Sequence, residues 1–265
     1  MSENTEPGRK RVALVTGAGQ GVGRQVALDL ATQGVAGVVV VNDVRAEAAQ
    51  AVADEVEAKG VTAVAAPFDV TDFDAVAAAF DAVADDFGGV DILVNNAGNS
   101  GTAGMTQDAS KFWETEPGDW QPWLDVNLFG VLNCTRAAMP SMVERRYGRI
   151  VTVISDAGRV GEPDLIVYSA AKAGAAGFTR AVGRAGGRHG ITANCVALGA
   201  TNTPTVNMLA DLDEATSRKL LTKYAIKRFG EPEDGSAAIV FLASEAAAWI
   251  TTQTLPVNGG YSSAL

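Results

Sequence analysis

Thr16-Gly17-Ala18-Gly19-Gln20-Gly21-Val22-Gly23 decides how this chain is read. The apolar run before it, Val12-Ala13-Leu14-Val15, reads as a buried strand. Val26, Ala27, Leu28 and Leu30 after it read as the apolar face of a helix. Glycines between a strand and a helix let the backbone come close to a phosphate, where a Cβ would clash. The helix N-terminus then presents unpaired N–H groups and the positive end of its dipole to the anion. Counted from Gly17 the spacing is not G-x-G-x-x-G, because Val22 stands where that pattern needs glycine. Taken alone, the stretch also fits a turn that binds nothing.

Outward from this loop, strand and helix patterns alternate without a break in composition. Strand-like runs fall at Val12–Thr16, Val38–Asn42, Thr62–Ala66, Ile92–Val94, Ile150–Ile154, Thr192–Val196 and Leu255–Val257. Helical patterns lie between them, as at Glu47–Lys59 and Phe73–Phe87. Mostly apolar strands separated by helices predict an α/β fold: a doubly wound Rossmann sheet of seven mostly parallel strands with helices on both faces. One domain is expected over residues 11–265, after a polar, disordered tail over residues 1–10.

A net charge of −10 disfavours nucleic acid and anionic membranes as partners through repulsion. The longest apolar run, Val35 to Val41, is far short of a membrane span, and the N-terminus has no signal-peptide pattern. Cys134 and Cys195 share no motif, which suits reduced thiols and a cytoplasmic protein. The single histidine, His189, excludes a multi-histidine metal site, and no metal is expected. Its surroundings, Gly186-Gly187-Arg188-His189-Gly190, look like a helix end, where a cation suits the dipole.

The carboxyl ends of the strands hold the next candidates, because an open α/β sheet binds its ligand there. Asp43 closes the second strand. It suits a ribose 2′-hydroxyl, and it equally suits capping the next helix. If a dinucleotide binds, a carboxylate at this point repels a 2′-phosphate and favours NAD over NADP. Asp69-Val70 follows the third strand and Asn95-Asn96-Ala97-Gly98 the fourth. The irregular connection Asn99–Trp120, with Met105, Phe112 and Trp113, reads as a substrate-pocket wall or as a surface loop. A long helical pattern then runs from Asp119 to Arg145, with Pro140 expected to bend or end it. Asn127 inside it has poor helix propensity, so some interaction must compensate.

Ser155 closes the fifth strand, and thirteen residues later comes Tyr168-Ser169-Ala170-Ala171-Lys172. Tyr and Lys four apart share a helix face, so the ammonium reaches the neighbourhood of the phenol. A nearby cation is expected to lower the tyrosine pKa from about 10 towards a workable value. The pair would then exchange a proton near neutral pH.

These motifs together resemble the short-chain dehydrogenase/reductase family. The loop matches its T-G-x-x-x-G-x-G form, Asn127, Ser155, Tyr168 and Lys172 match its tetrad, and the resemblance extends from Arg11 to Tyr261. It implies that Tyr168 exchanges the proton with the substrate oxygen and that Ser155 hydrogen-bonds that oxygen. Lys172 would tune Tyr168 and hold a nicotinamide ribose hydroxyl, and Asn127 would support a water relay to Lys172. By the same resemblance the cofactor contacts are Gly17, Gly19, Gln20, Gly21, Val22, Gly23, Asp43, Asp69, Val70, Asn96, Ala97, Gly98, Tyr168, Lys172, Gly199 and Thr203. Leu198 replaces the family's usual proline, which is expected to loosen the loop beside the nicotinamide. Residues 205–223, including Val206, Met208 and Leu209, read as a helical lid.

Small residues crowd the helix after Tyr168: Ala170, Ala171, Ala173, Gly174, Ala175, Ala176 and Gly177. Members of the family commonly pair this helix across a subunit interface, which implies a homo-oligomer, a tetramer or a dimer. Packing within the chain explains the same composition. The expected function is NAD-dependent interconversion of a mainly apolar secondary alcohol and its ketone. Its alternatives are an NADPH-dependent 3-oxoacyl thioester reductase and a non-catalytic dinucleotide sensor.

Overall fold

Four consecutive buried apolar residues in Val12–Val15, and four more in Val38–Val41, leave neither strand a polar face. Such strands must be covered on both sides. The computed structural model, which describes residues 9–99, 111–204 and 214–263, shows how. The strands are β1 Val12–Val15, β2 Val38–Val41, β3 Thr62–Ala65, β4 Ile92–Asn95, β5 Gly148–Ser155, β6 Ile191–Leu198 and β7 Thr254–Val257. They form one sheet in the order β3-β2-β1-β4-β5-β6-β7, with every pairing parallel.

The helices described are α1 Gly21–Thr32, α2 Ala46–Glu57, α3 Phe73–Phe87, α4 Pro117–Leu124, α5 Gly130–Arg145, α6 Ala157–Val160, α7 Ile166–Gly186, α8 Glu214–Leu221 and α9 Pro232–Ala243. Alternation along the strands divides the core in two. Ala13, Val15, Val39 and Val41 pack with Val26 and Leu30 of α1, Val52 of α2 and Ile239 of α9. Val12, Leu14, Val38 and Val40 point the other way, onto Phe80 of α3 and Cys134, Ala138 and Met142 of α5. On α7, Ala175 and Ala176 meet Ile154, Cys195 and Ala197. This is the expected doubly wound fold. The chain reverses its winding between β1 and β4, which opens a crevice over their carboxyl ends.

Three local expectations are corrected. The helical pattern over Asp119–Arg145 is interrupted by a π turn at Asp125–Phe129, between α4 and α5. Of the two effects expected at Pro140, a bend or an end, the end does not occur: α5 continues to Arg145 and stops where Arg146 turns left-handed at φ 54°. Leu198, which replaces the family's usual proline, is a strand residue rather than a loop residue. It is the last residue of β6, in register with Ser155 and Val257, and it packs on the core beside Gly235. A leucine there both continues the strand and fills the space against α9.

Arg9, assigned from sequence to the disordered tail, is held by the domain. Its Nη1 donates to both oxygens of Asp91 at 3.0 and 2.8 Å, and its Nη2 donates to the Gly89 carbonyl at 2.7 Å. The small residues of α7 divide between the two readings. Ala171, Ala175 and Ala176 are buried within the chain, while Ala170, Ala173 and Gly174 are exposed.

Close packing of α1 against β4 is what positions the glycine loop. A Cβ on Gly23 would lie 2.4 Å from Asn96 Nδ2 and 2.5 Å from the Gly17 carbonyl oxygen, both fixed groups. Gly23→Ala is therefore expected to cost about 1–3 kcal/mol by overpacking. A lowered Tm together with weaker NADH binding in a fluorescence titration would bear this out, and wild-type values for both would contradict it.

Candidate active site

Hydrogen bonds tie the glycine loop to the end of β4. Asn96 Nδ2 donates to the carbonyls of Thr16 and Gly17 at 2.9 and 3.0 Å, and Thr16 Oγ1 accepts from the N–H groups of Asn96 and Ala97, each at 3.0 Å. Gly17 and Gly21 sit at φ 61° and 56°, where a side chain is strained, and a Cβ on Gly17 would lie 2.8 Å from Ala97 Cα. Gly19, Gln20, Val22 and Gly23 complete the turn into α1, whose first turn carries no acidic side chain. Across the crevice, Thr203 covers Gly21, its Cγ2 lying 3.2 Å from where a Cβ would stand. Gly199 rests on the backbone of Asn258 and donates its N–H to the Val257 carbonyl at 3.1 Å.

Asp43 is buried at the end of β2 and both of its oxygens are engaged. Oδ2 accepts from Gly19 N at 3.1 Å, and Oδ1 accepts from Arg45 N at 3.0 Å and Arg45 Nε at 3.2 Å. The cap of α2 is Arg45 rather than Asp43, so the carboxylate closes a local turn two residues on and braces the glycine loop. Asp69 does the same for Thr71, accepting from its N–H and hydroxyl at 2.9 Å each. Asn133 Nδ2 of α5 donates to the Val70 carbonyl at 2.9 Å and fixes that turn against α5.

The π turn accounts for Asn127. Its Nδ2 donates to the carbonyls of Asn99 and Trp123 at 2.8 and 3.0 Å, and its Oδ1 accepts from Asn99 N at 3.1 Å. Fully buried, it compensates its poor propensity by clamping the strand that leaves β4. Gly98 brings Asn127 and Lys172 together. A Cβ there would lie 3.1 Å from Asn127 Oδ1 and 3.2 Å from Lys172 Nζ, so only glycine leaves that space open.

Lys172 is buried, and among the described residues its Nζ donates to the Val153 carbonyl at 3.0 Å. Burial lowers its pKa from 10.5 to about 8. Nζ lies 5.8 Å from the Tyr168 ring centroid. The expectation that this cation would lower the Tyr168 pKa is corrected. Burial pushes the phenol above its usual 10, and the hydrogen bond with Ser155 pulls it back only in part. Ser155 Oγ also accepts from Ala157 N at 3.2 Å. The phenol therefore keeps its proton at neutral pH.

The sequence reading missed Trp123, whose ring meets Tyr168 edge-on with centroids 6.2 Å apart. Its spacing four residues before Asn127 was the available signal. Of the three pocket-wall candidates, Met105 lies outside the described residues. Trp113 is 75% exposed and lies under the Lys111 ammonium, and Phe112 stacks on Trp120 at 5.4 Å, so both sit at the surface. Val206, Met208 and Leu209 of the expected lid also lie outside the described residues, and α8 is the part of it that is seen. His189 ends a single turn beyond α7, at the far end of β6 from the crevice. Among the described residues no helix is long and apolar enough to cross a membrane, and no three His, Cys, Asp or Glu side chains gather as a metal site.

A sheet that reverses its winding over a glycine loop, with a half-buried serine at the end of β5 and a half-buried tyrosine and buried lysine on α7 beside it, defines a dinucleotide-linked oxidoreductase. The chain belongs to the short chain dehydrogenase family, whose model matches residues 11–214. It is 41% identical over 254 residues to the (2S)-[(R)-hydroxy(phenyl)methyl]succinyl-CoA dehydrogenase subunit BbsD of Thauera aromatica, covering 96% of this chain and 97% of that protein. It is 40% identical over 248 residues to the 3-oxoacyl-[acyl-carrier-protein] reductase FabG of Staphylococcus aureus (strain Mu50), covering 94% and 96%. The structure of gluconate 5-dehydrogenase from Burkholderia cenocepacia J2315 in complex with NADP and tartrate superposes with a TM-score of 0.86. It is 35% identical, and the match covers 96% of each chain.

The buried ammonium of Lys172 weakens the fold that holds it. Its folded pKa lies below the unfolded value, so the penalty is fully present below pH 8 and fades as pH rises towards 10.5. At neutral pH it is on the order of 3 kcal/mol, partly offset by the bond to the Val153 carbonyl. Lys172→Met is thus expected to raise the Tm of the ligand-free protein at pH 7, with the gain shrinking at pH 10. An unchanged or lowered Tm at pH 7 would count against this account.

Proposed function

We propose that the chain uses NAD(H) to interconvert a mainly apolar secondary alcohol and its ketone. The observation that carries this reading is Tyr168 held between the Ser155 hydroxyl and the buried Lys172, at the strand ends that the glycine loop faces. Tyr168 acts as general acid and base at the substrate oxygen, which Ser155 orients. Lys172 supplies positive charge beside the phenol, and Asn127 fixes the wall between Lys172 and the end of β4. A bound nicotinamide dinucleotide supplies or takes up the hydride. Its pyrophosphate suits the loop from Gly17 to Gly23 and the N-terminus of α1. Asp69, Val70, Asn96, Ala97 and Gly98 border its adenosine half, and Gly199 and Thr203 its nicotinamide end.

Asp43 favours NAD, because its buried carboxylate would repel a 2′-phosphate. One observation supports the second reading, an NADPH-linked 3-oxoacyl thioester reductase: the half-exposed Arg45 guanidinium beside Asp43 offers a phosphate partner. The names of two relatives also point to acyl thioesters. The test is a panel of alicyclic and aryl secondary alcohols, 3-hydroxyacyl-CoA thioesters and polyols, each with NAD and NADP, read by absorbance of the reduced cofactor. Turnover of the apolar alcohols or thioesters with NAD is expected, with Tyr168→Phe losing about 10²–10⁴-fold. Because burial keeps the phenol protonated, alcohol oxidation should climb with pH while ketone reduction stays level below neutrality. Polyol turnover alone, a preference for NADP, or a Tyr168→Phe variant near wild-type rates would each overturn part of the assignment.

We place a second copy of the chain against α7, whose exposed Ala170, Ala173 and Gly174 leave a backbone open to close approach. A Cβ at Gly174 meets Leu128 at an ordinary 3.4 Å, so a larger side chain fits the single chain and projects outward. Gly174→Leu is expected to reduce the sedimentation coefficient at micromolar concentration while leaving the far-UV circular dichroism unchanged. A wild-type chain that sediments as a monomer would end this proposal.

A further inference from the structure

Asp156 follows Ser155 in the chain, is 3% exposed, and has no part in the reaction described above. Its carboxylate accepts three hydrogen bonds: Oδ1 from Arg159 Nη1 at 2.6 Å, and Oδ2 from Asn258 Nδ2 at 2.7 Å and Ser262 Oγ at 2.8 Å. Its backbone is equally committed. The N–H donates to the Leu198 carbonyl at 3.0 Å, and the carbonyl accepts from Arg159 N and Val160 N at 2.8 and 3.0 Å. Arg159 Nη1 also donates to Ser262 Oγ at 2.8 Å, and Asn258 Nδ2 to the Ser262 carbonyl at 3.1 Å.

The same C-terminal turn reaches two other walls of the crevice. Tyr261 donates its hydroxyl to the Glu162 carboxylate, and Glu162 N donates to Ser169 Oγ at 3.2 Å, one residue from Tyr168. The Tyr261 ring packs on Tyr224 at 5.0 Å, and Tyr224 Oη accepts from Ala200 N at 3.1 Å, between Gly199 and Thr203. Residues 258–263 thus touch the segments that carry Ser155, Tyr168 and the loop after β6. Anchoring a chain end needs only apolar contact. A buried carboxylate that accepts three hydrogen bonds, one of them from a partly buried guanidinium, instead fixes distances and directions, because each bond fails if its donor shifts.

We propose that Asp156 is a positioning residue. With Arg159, Asn258 and Ser262 it sets the separation of Ser155 from Tyr168, so the C-terminal turn is part of the active-site geometry. This rests on the reading of Ser155 and Tyr168 as the pair that handles the proton. Asp156→Asn turns an N–H₂ towards Arg159 or Asn258, both of which donate. Adding Asn258→Asp restores the bond between positions 156 and 258, since the introduced amide would accept from Arg159 and donate to the introduced carboxylate, while the Ser262 carbonyl loses its donor.

The experiment measures kcat, KM and NADH affinity for D156N, D156N/N258D and S262A, using the panel substrate that the wild type turns over fastest. D156N is expected to lose roughly 10–100-fold in kcat, since displacements of about 1 Å cost up to 10². NADH affinity should stay within about threefold, and the double variant should recover part of the loss. S262A, which removes one donor at a partly exposed site, should lose a few-fold. A D156N kcat within about threefold of wild type overturns the proposal, as does a loss matched by NADH affinity or one of which the double variant recovers no part. Should D156N not fold, S262A decides, and an unchanged kcat overturns the proposal. If the wild type turns over nothing in the panel, the functional reading fails separately. Amide exchange over residues 155–161 and 166–172 then decides: acceleration in D156N that the double variant reverses supports the positioning role, and no change overturns it.

Discussion

Two side chains hold the crevice in shape. The Thr16 hydroxyl takes the first two N–H groups beyond β4, and the Asn96 amide returns two hydrogen bonds to the carbonyls of Thr16 and Gly17. β1 and β4 pair only as far as Val15 and Val94, after which the chains diverge to either side. Without this clamp the glycine loop would be free to take other conformations, because glycine adopts left- and right-handed backbone about equally readily. With it, Gly17 sits so close to Ala97 that no side chain fits, and the loop and the start of α1 keep one position relative to β4. The carboxylate of Asp43 braces the same loop from the β2 side.

From that clamp the remaining elements follow by contact. The segment leaving β4 passes Gly98 and reaches Asn99, whose N–H and carbonyl are both taken by Asn127. Asn127 can do this because the helix widens into a π turn around it, which frees its side chain to reach across. Gly98 then leaves room for Lys172 Nζ, and the Val153 carbonyl holds that ammonium beneath Tyr168. Asn127 and Lys172 are thus buried polar groups held by backbone atoms of neighbouring segments. Such burial costs stability, and the lowered pKa of Lys172 reports that cost. Proteins commonly accept such local instability at functional sites.

Trp123 and the C-terminal turn extend the site beyond the residues that directly face the crevice. The indole lies edge-on to the Tyr168 ring, and its carbonyl holds Asn127, so one residue of α4 supports two members of the group. On the other flank, the Tyr224 and Tyr261 rings pack at a tilt of 40° beside the loop of Gly199 and Thr203. Both flanks are aromatic.

The sequence by itself determined the architecture and nominated the residues proposed for the site. Apolar strand runs at Val12, Val38 and Ile92, the glycine spacing after Thr16 and the Tyr168–Lys172 interval are local patterns, and local patterns survive without knowledge of neighbours. Helix interruptions were harder to see. The π turn at Asn127 and the continuation of α5 through Pro140 depend on what Asn99 and the packing around α5 offer, which lie far away in sequence. The direction of the Tyr168 shift was also out of reach. Spacing put a cation near the phenol, but only the tertiary structure shows that burial dominates and outweighs the Ser155 hydrogen bond, because desolvation depends on everything packed around the ring. Asp156 is the clearest case: in sequence it is one more acid after a strand, and its importance comes from Asn258 and Ser262, about a hundred residues away.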